Sequence, residues 1–209
     1  MGKPVVYGAD YSVYVRIVRL ALEEKGVEYE LVPVDVFAAD GVPGWYLEHH
    51  PFGRIPAFEH DGFRLFETSA IARYIDEGFA GPALQPTDAR ARATMNQMIG
   101  LLDAYAYRSM VWDVAVERME KPAPDEALIA AGLQRAAATL RVLSSLKAQG
   151  SWLMGAELTL ADLHAAPIIG YFLKVAEGQR LLAEFPEIQA WWERIASRPS
   201  FAASGPATN

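Results

Sequence analysis

The fold is decided by residues 54–69, with the sequence Arg-Ile-Pro-Ala-Phe-Glu-His-Asp-Gly-Phe-Arg-Leu-Phe-Glu-Thr-Ser. Asp61-Gly62 lies between two short strand-like runs, and this dipeptide is the strongest short-range signal for a two-residue β-hairpin. Ala57 to His60 and Phe63 to Phe66 are therefore predicted to pair as antiparallel strands. Apolar residues follow at helical spacing, so a helix is predicted from Ser69 to Glu77.

The residues before this hairpin predict a β-α-β unit. Pro4 to Tyr7 is a short apolar strand, and Tyr29 to Val36 is a second strand rich in β-branched residues. Between them, apolar residues recur at helical spacing after Ser12, and Gly26 closes the predicted helix. Two parallel strands joined by a helix imply a right-handed crossover. Residues 1–78 are thus predicted to form an α/β domain of thioredoxin-like order.

The rest of the chain predicts helices. Residues 79–88 contain glycine and proline and are interpreted as a linker. Beyond them the strand signals stop, and residues 89–118 and 126–149 are long helical stretches. Residues 89–209 are therefore predicted to form an all-α domain with a frayed tail from Ala203 onward. The predicted fold class is an α/β thioredoxin-like N-terminal domain plus an all-α C-terminal domain.

The composition argues against several classes of function. A formal net charge of −7 disfavours nucleic-acid binding, which needs a basic face. No run approaches the roughly 18 apolar residues of a membrane span, and the first residues show no signal-peptide pattern, so we expect no membrane association and a cytoplasmic location. The chain has no cysteine, which excludes disulfides and a cysteine nucleophile and fits a reducing compartment. Its histidines and carboxylates show no metal-site spacing, so no metal is expected.

Two features of residues 54–69 predict a site for a peptide. A cis bond is accessible before proline at about 0.5–1 kcal/mol, and a cis Ile55-Pro56 bond would leave backbone groups for an extended peptide to pair with. Glu67 and Thr68 open a helix, where backbone N–H groups favour a carboxylate while Glu67 accepts from an ammonium group. Taken singly, each feature has an ordinary interpretation, a trans proline in an edge strand or a simple helix cap. Together they complement a zwitterionic amino-acid head.

Three stretches of the chain resemble the signatures of glutathione S-transferases. Residues 50–59, HPFGRIPAFE, followed by residues 65–75, LFETSAIARYI, are similar to the glutathione-site signature of the family. Residues 158–167, LTLADLHAAP, resemble the signature of the family's helical domain, particularly in the phi class. The similarity extends from Val5 to about Phe201. It implies a transferase that uses glutathione as a co-substrate, without a metal.

The resemblance implies a role for each residue of the glutathione signature. Ile55, with Pro56 in the same turn, would pair its main chain with the cysteinyl part of glutathione. Glu67 and Thr68 would hold the γ-glutamyl head. Arg54 would approach the glycine carboxylate, where a cation is electrostatically favourable.

The glycine end of the site departs from the family pattern. Phi-class relatives carry histidine and lysine where this chain has Gly41-Val42-Pro43. Two outcomes stay open for this end: the glycine carboxylate is held more weakly than in those relatives, or Arg54 compensates together with His49 and His50.

Ser12 is the candidate catalytic residue, because it matches the serine position of phi and theta relatives and opens the first helix, with Arg16 one turn later. A hydroxyl that donates to the sulfur of glutathione, beside a helix N-terminus, favours the thiolate and lowers the pKa of the thiol. Two alternatives stay open. In the first, Ser12 is only the N-cap of the helix and has no catalytic role. In the second, the hydroxyl of Tyr7 takes the catalytic role, since other classes use a tyrosine near this place.

The resemblance also implies a second substrate, a hydrophobic electrophile that sits against the helical domain. The candidate walls of its pocket are Tyr11, Phe37, Met110 and Trp112. The expected reaction is attack of the thiolate on an electrophilic carbon, or reduction of a peroxide by the same thiolate. The alternative is a non-catalytic glutathione-binding or assembly module of the same fold. Thiol–disulfide exchange on a protein cysteine is excluded, because the chain has none.

Three further features are structural in this interpretation. Thr159 and Asp162 have the spacing of a helix capping box, and Trp191 and Trp192 with Ile195 are expected to form the core packing of the last helix. Phe52 occupies a place at which an aromatic residue inserts into the partner subunit in several classes, which would suit a homodimer. The alternative for Phe52 is a ring packed beneath its own loop.

Overall fold

The computed structural model describes residues 2–206 of the chain. The contacts between residues divide this part into two compact units, each of which is described by itself. The first unit comprises residues 2–83 and 199–206, and the second comprises residues 84–198.

The first unit contains a four-stranded sheet with the strand order β2-β1-β3-β4. Its strands are β1 (Val5–Tyr7), β2 (Glu30–Val32), β3 (Ala57–His60) and β4 (Phe63–Phe66). β1 is parallel to β2 and antiparallel to β3, which is in turn antiparallel to β4. The predicted hairpin is confirmed, because Asp61 and Gly62 both have positive φ angles, 49° and 80°, as a type I′ turn requires.

Two α-helices accompany the sheet, α1 (Val13–Lys25) and α2 (Thr68–Gly78), together with a 3₁₀ helix at Gly44–Glu48. Gly26 ends α1 in the left-handed conformation (φ 67°) and donates its N–H to the last turn, as predicted. Burial alternates along β1, where Val6 is 0% exposed whereas its neighbour Tyr7 is only partly buried. The β-α-β order predicted for this part of the chain is confirmed.

The second strand is shorter than predicted. It was expected from Tyr29 to Val36, but β2 ends at Val32. Pro33 follows and has no N–H to continue the ladder. The next residue, Val34, donates its N–H to the carbonyl of Gly8 instead (3.3 Å).

The second unit is helical, and the structure has no β-strand in residues 84–198. Its elements are α3 (Ala89–Leu101), a π-helical stretch (Leu102–Val116), α4 (Glu117–Glu120), α5 (Glu126–Leu146), α6 (Leu160–Phe172), α7 (Ala176–Ala183) and α8 (Pro186–Ala196). The first three follow one another without a break, so the helix predicted over residues 89–118 is present. No helix in the described part of the chain has the length and apolar character needed to cross a membrane.

Asp162 lies at the centre of the second unit, with 0% of its surface exposed. Its carboxylate accepts hydrogen bonds from the N–H of Leu153 (2.8 Å) and from the N–H and hydroxyl of Thr159 (2.8 and 2.9 Å). The predicted capping box is therefore confirmed. Trp191 is fully buried, as predicted, and donates its indole N–H to the same carboxylate (2.8 Å). These bonds give Asp162 a structural role that joins the start of α6 to α8.

The end of the described chain is ordered against the first unit, which differs from the predicted frayed tail. The short helix α9 (Pro199–Ala203) packs on α1. Arg16 donates to the carbonyl of Phe201 (2.7 Å), and Arg19 donates to the carbonyl of Ala203 (3.1 Å). Ser204 is fully buried. Residues 199–206 thus belong to the first unit, whereas the sequence placed them in the helical domain; residues 207–209 lie outside the described part.

Candidate functional site

Ser12 lies between β1 and α1 and caps the helix in an extended conformation (φ −72°, ψ 127°). Its Oγ accepts a long hydrogen bond from the N–H of Val15 (3.4 Å). The Ser12 hydroxyl donates to no other group within residues 2–206, so its hydrogen is available to a ligand. The backbone N–H groups of a helical first turn also attract an anion. This position can therefore stabilise a negative charge.

Tyr7, the rival hydroxyl, packs on the side of the sheet that the 3₁₀ helix covers. Its ring centroid lies 4.2 Å from that of His49 and 6.1 Å from that of Trp45. Burial raises the pKa of Tyr7, and the nearby carboxylate of Glu59 raises it further. Both effects make its hydroxyl a poorer source of a proton or of a stabilised anion.

The turn before β3 leaves a main-chain segment without partners. The Ile55-Pro56 bond is cis. The ladder between β1 and β3 includes Ala57, paired with Tyr7, but does not extend to Ile55. Neither the N–H nor the carbonyl of Ile55 makes a hydrogen bond to another described residue. An extended peptide can pair with these groups in the manner of an added strand.

Glu67 connects β4 to α2 in a conformation that is rare for a residue with a side chain. Its φ is 71°, and its side chain is exposed and makes no capping bond to the helix. Such backbone conformations cost on the order of 1–3 kcal/mol and cluster at ligand sites. Thr68, the first residue of α2, is buried at 9% exposure. Glu67 thus places an unpaired carboxylate directly before the unpaired N–H groups of a helix start.

Arg54 and His50, both predicted for the glycine end of glutathione, differ in charge. Arg54 is exposed and pairs with no carboxylate in the described chain. His50 is buried, and its Nδ1 accepts from the N–H of Phe52 (3.4 Å). Burial lowers the pKa of His50, opposed by Glu67 and assisted by Arg54. The lowered pKa favours the neutral form of the His50 ring near pH 7, so Arg54 is the cation of this pair.

His49, the other histidine considered for the glycine end, is engaged elsewhere. Its Nδ1 lies 3.5 Å from the carboxylate of Glu59, and its ring packs on Tyr7. Glu59 is in turn bonded to Arg64 (2.8 Å). The structure places His49 beside Glu59 and does not group it with Arg54.

The structure brings two of the four predicted electrophile-site residues together. Tyr11 and Phe37, both in the first unit, are 43% and 65% exposed, and their rings stack at a centroid distance of 6.2 Å and an angle of 29°. In the second unit, Met110 is 1% exposed and Trp112 is partly buried. Their assignment to the pocket stays a prediction. The structure adds Asp35, which accepts from both Tyr11 and Phe37 and which no sequence signal marked.

Phe52 is the most exposed of the large apolar side chains in the described chain, at 73%. Its ring meets those of His50 and Phe66 only at an edge, with centroids 6.3 Å apart in both cases. Its own loop therefore does not cover it. Within residues 2–206, no group of three or more histidine, aspartate or glutamate side chains is arranged to hold a metal ion.

Two family models match the chain, one for each unit. Residues 5–77 match the model described as "Glutathione S-transferase, N-terminal domain". Residues 107–199 match the model described as "Glutathione S-transferase, C-terminal domain".

Known proteins and solved structures are similar to this chain over nearly its full length. Glutathione S-transferase F13 of Arabidopsis thaliana is 32% identical over 207 residues, which cover 96% of this chain and 94% of that protein. The crystal structure of glutathione transferase F7 from Populus trichocarpa is 30% identical, with a TM-score of 0.84 and coverage of 96% and 97%. A structure of glutathione S-transferase-I bound with lactoylglutathione is 25% identical, with a TM-score of 0.84 and coverage of 97% and 98%. F13 and F7 are plant phi-class proteins.

Proposed function

Because the chain belongs to the glutathione S-transferase family, a family of transferases, we propose that it activates the thiol of glutathione for attack on hydrophobic electrophiles. The observation that carries this proposal is the position of Ser12, whose hydroxyl hydrogen has no acceptor in the described chain and which caps the start of α1. A free thiol has a pKa near 8.5, so only a few per cent is thiolate at neutral pH. A hydroxyl donor and a helix N-terminus both stabilise the thiolate and raise that fraction.

Glutathione lies, in this proposal, along the unpaired groups of the first unit. The main chain of Ile55, beside Pro56, pairs with the cysteinyl part, since its N–H and carbonyl are unused. Glu67 and Thr68 hold the γ-glutamyl head, with the carboxylate of Glu67 accepting from the ammonium group. Arg54 holds the glycine carboxylate, and the neutral ring of His50 is expected to contribute at most a hydrogen bond.

The reaction is a nucleophilic substitution or addition at carbon. The sulfur forms a new bond to the electrophilic carbon, and a leaving group departs with its bonding pair or an adjacent atom takes up a proton. Holding both substrates together lowers the entropic part of the barrier, and Ser12 stabilises the attacking anion. The same thiolate is expected to reduce hydroperoxides. Tyr11 and Phe37 form part of the electrophile site, with Met110 and Trp112 as the proposed contribution of the second unit.

The test replaces Ser12 and measures conjugation together with thiolate formation. Ser12→Ala removes the donor to the sulfur, so we expect the rate of conjugation to fall about 100-fold, the effect typical of a lost anion-stabilising donor. The ultraviolet absorbance of the bound thiolate should fall with it. Ser12→Thr keeps a hydroxyl at the same position and should retain most of both signals.

The outcomes of this test separate the two candidate functions. If Ser12→Ala conjugates the electrophile as fast as the wild type, the role assigned to Ser12 is wrong. If the wild type binds glutathione but accelerates no conjugation, the chain is a non-catalytic glutathione-binding or assembly module.

The assembly that we propose is a homodimer, supported by the exposure of Phe52 (73%). An aromatic ring left in water to this extent gains apolar contact by insertion into a second copy of the chain. The proposed role is detoxification of such electrophiles. The proposed location is the cytoplasm, because the absence of cysteine fits a reducing compartment.

A further inference from the structure

We propose that Asp35 is a positioning residue of the electrophile site, which fixes Tyr11 and Phe37 as an exposed aromatic pair and so favours electrophiles that carry an aromatic ring. This inference rests on the proposed function, because it names the class of substrate that the site beside Ser12 prefers.

One carboxylate oxygen of Asp35 joins two separate segments of the first unit. Its Oδ1 accepts from the hydroxyl of Tyr11 (2.8 Å), in the turn between β1 and α1. The same oxygen accepts from the N–H of Phe37 (2.9 Å), in the segment after β2. No lysine or arginine in the described chain pairs with Asp35. The carboxylate is thus available to hold these two residues and is not part of an ion pair.

The rings of Tyr11 and Phe37 form one aromatic surface. Their centroid separation of 6.2 Å and interplanar angle of 29° lie in the range of favourable ring pairs. Because the hydroxyl of Tyr11 points to Asp35, the residue offers a ligand its ring and not its polar end. Tyr11 directly precedes Ser12 in the chain, so this surface begins one residue from the proposed thiolate site.

Fixing the pair before the substrate arrives strengthens the binding of a third ring. Exposed aromatic side chains without a tether sample several rotamers, and a ligand that stacks on them must restrict that freedom. The bond from the Tyr11 hydroxyl to Asp35 restricts the Tyr11 ring directly, and the bond from the Phe37 N–H fixes the backbone from which the Phe37 ring projects. Part of this cost is thereby removed in advance. A short alkyl chain gains less from the surface, since it has no ring to stack.

The experiment compares benzyl isothiocyanate with propyl isothiocyanate, which share one reactive group. The thiolate adds to the central carbon, the displaced electron pair moves to nitrogen, and nitrogen takes a proton from water, so nothing leaves. Asp35→Ala should lower the ratio of kcat/KM for the benzyl over the propyl compound by roughly 3- to 10-fold, the size expected for one ring contact. Asp35→Asn keeps an acceptor oxygen and should restore the wild-type ratio. Asp40→Ala removes another exposed carboxylate five residues further on and should leave the ratio unchanged.

The same ratio is measured without catalysis through the dissociation constants of S-benzylglutathione and S-propylglutathione. Asp35→Ala should lower the preference for the benzyl ligand by a similar factor, and Asp35→Asn should not. A wild-type ratio in Asp35→Ala, or an equal fall in Asp35→Asn or Asp40→Ala, overturns the proposal. If the wild type conjugates neither isothiocyanate, the proposed activity fails, while the binding ratio still decides the role of Asp35.

Discussion

Three polar side chains of the first unit, Ser12, Arg54 and Glu67, have hydrogen-bonding capacity that no other described residue uses. One is a cation, one is an anion and one is a neutral hydroxyl donor, and together they match the groups of one ligand. Arg54 suits a carboxylate, Glu67 an ammonium group, and Ser12 the thiolate between them. A site prepared for a single uncharged molecule would have no use for this combination. The pattern therefore supports an extended, zwitterionic peptide with a thiol.

Arg54 is expected to recognise the glycine carboxylate of glutathione. Arg54→Ala should raise the KM for glutathione roughly 10-fold, because a hydrogen bond to a charged group contributes about 1.5–3 kcal/mol. Steady-state kinetics with glutathione and with γ-glutamylcysteine, which lacks the glycine, measure the effect directly. The penalty should disappear with the shorter peptide.

Arg64→Ala is the matched control, because Arg64 is also partly exposed but is bonded to Glu59 (2.8 Å). An equal penalty with both peptides would show that Arg54 acts on the whole site and not on the glycine carboxylate.

The backbone conformation of Glu67 is expected to lower the stability of the fold, while its carboxylate strengthens glutathione binding. Its φ of 71° is favourable only for glycine, so Glu67→Gly should raise the free energy of unfolding by about 1 kcal/mol while weakening glutathione binding. Glu67→Ala removes the same carboxylate but keeps the side-chain clash, so it should weaken binding without the gain in stability. Chemical denaturation and calorimetric titration measure the two quantities. A loss of stability in Glu67→Gly would contradict the assignment of strain.

Helices and strands were predictable from sequence where short-range patterns decide them. The hairpin around Asp61-Gly62 follows from two adjacent residues, and Gly26 marks the end of α1 by itself. The end of β2 at Val32 follows from Pro33, but the prediction of a strand up to Val36 gave more weight to the β-branched residues than to this proline. The site was predictable only through residues with a recognisable pattern. Asp35 was not, because its function depends on Tyr11, 24 positions away, and no periodicity connects the two.

The terminal segment was missed for a related reason. Arg16 and Phe201 are 185 positions apart, and nothing near either residue predicts that the guanidinium of Arg16 lies 3.7 Å from the centre of the Phe201 ring. Burial lowers the pKa of Arg16 to about 10, and the nearby positive charge of Arg19 lowers it further. Long-range bonds of this kind follow from the assembled fold, which local sequence does not specify.

The bonds between α1 and α9 are expected to contribute substantially to stability. Arg19 is 9% exposed and bonds the hydroxyl of Tyr29 and the carbonyls of Ala203 and Gly205. A chain that ends at Arg198 loses both carbonyls, so its free energy of unfolding should fall by about 3 kcal/mol or more.

Arg19→Met provides the control for this truncation. In the full chain the substitution should destabilise, because it removes three hydrogen bonds. In the truncated chain it should cost clearly less, since the two carbonyl acceptors are absent there and only the bond to Tyr29 is left to lose. Denaturant titration of the four proteins gives the coupling energy. Equal effects of Arg19→Met in both chains would contradict the proposal that the bonds from Arg19 to Ala203 and Gly205 stabilise the fold.

The exposed apolar surface of the first unit bears on how whole molecules associate. Three large apolar side chains lie between residues 44 and 53, and they are 47–73% exposed: Trp45, Leu47 and Phe52. Single exposed apolar residues are ordinary, but several on one short segment are typical of an interaction surface. With a net charge of −7, copies of the chain repel one another at long range, so association needs an apolar contact of this kind.

Phe52 is expected to be the anchor of the proposed homodimer. Phe52→Asp places a charge where a ring would be buried, so the dissociation constant of the dimer should rise about 30-fold or more, the size typical of an interface hot spot. Sedimentation equilibrium at several concentrations measures this constant.

Phe63→Asp changes another exposed aromatic ring (49%) of the same unit and should leave the constant near the wild-type value. Equal weakening by both variants would indicate a general effect of charge or stability, and a monomeric wild type would remove the dimer from the proposal. Since Ser12 and the residues proposed to bind glutathione all lie in one chain, a monomeric Phe52→Asp variant should still bind glutathione.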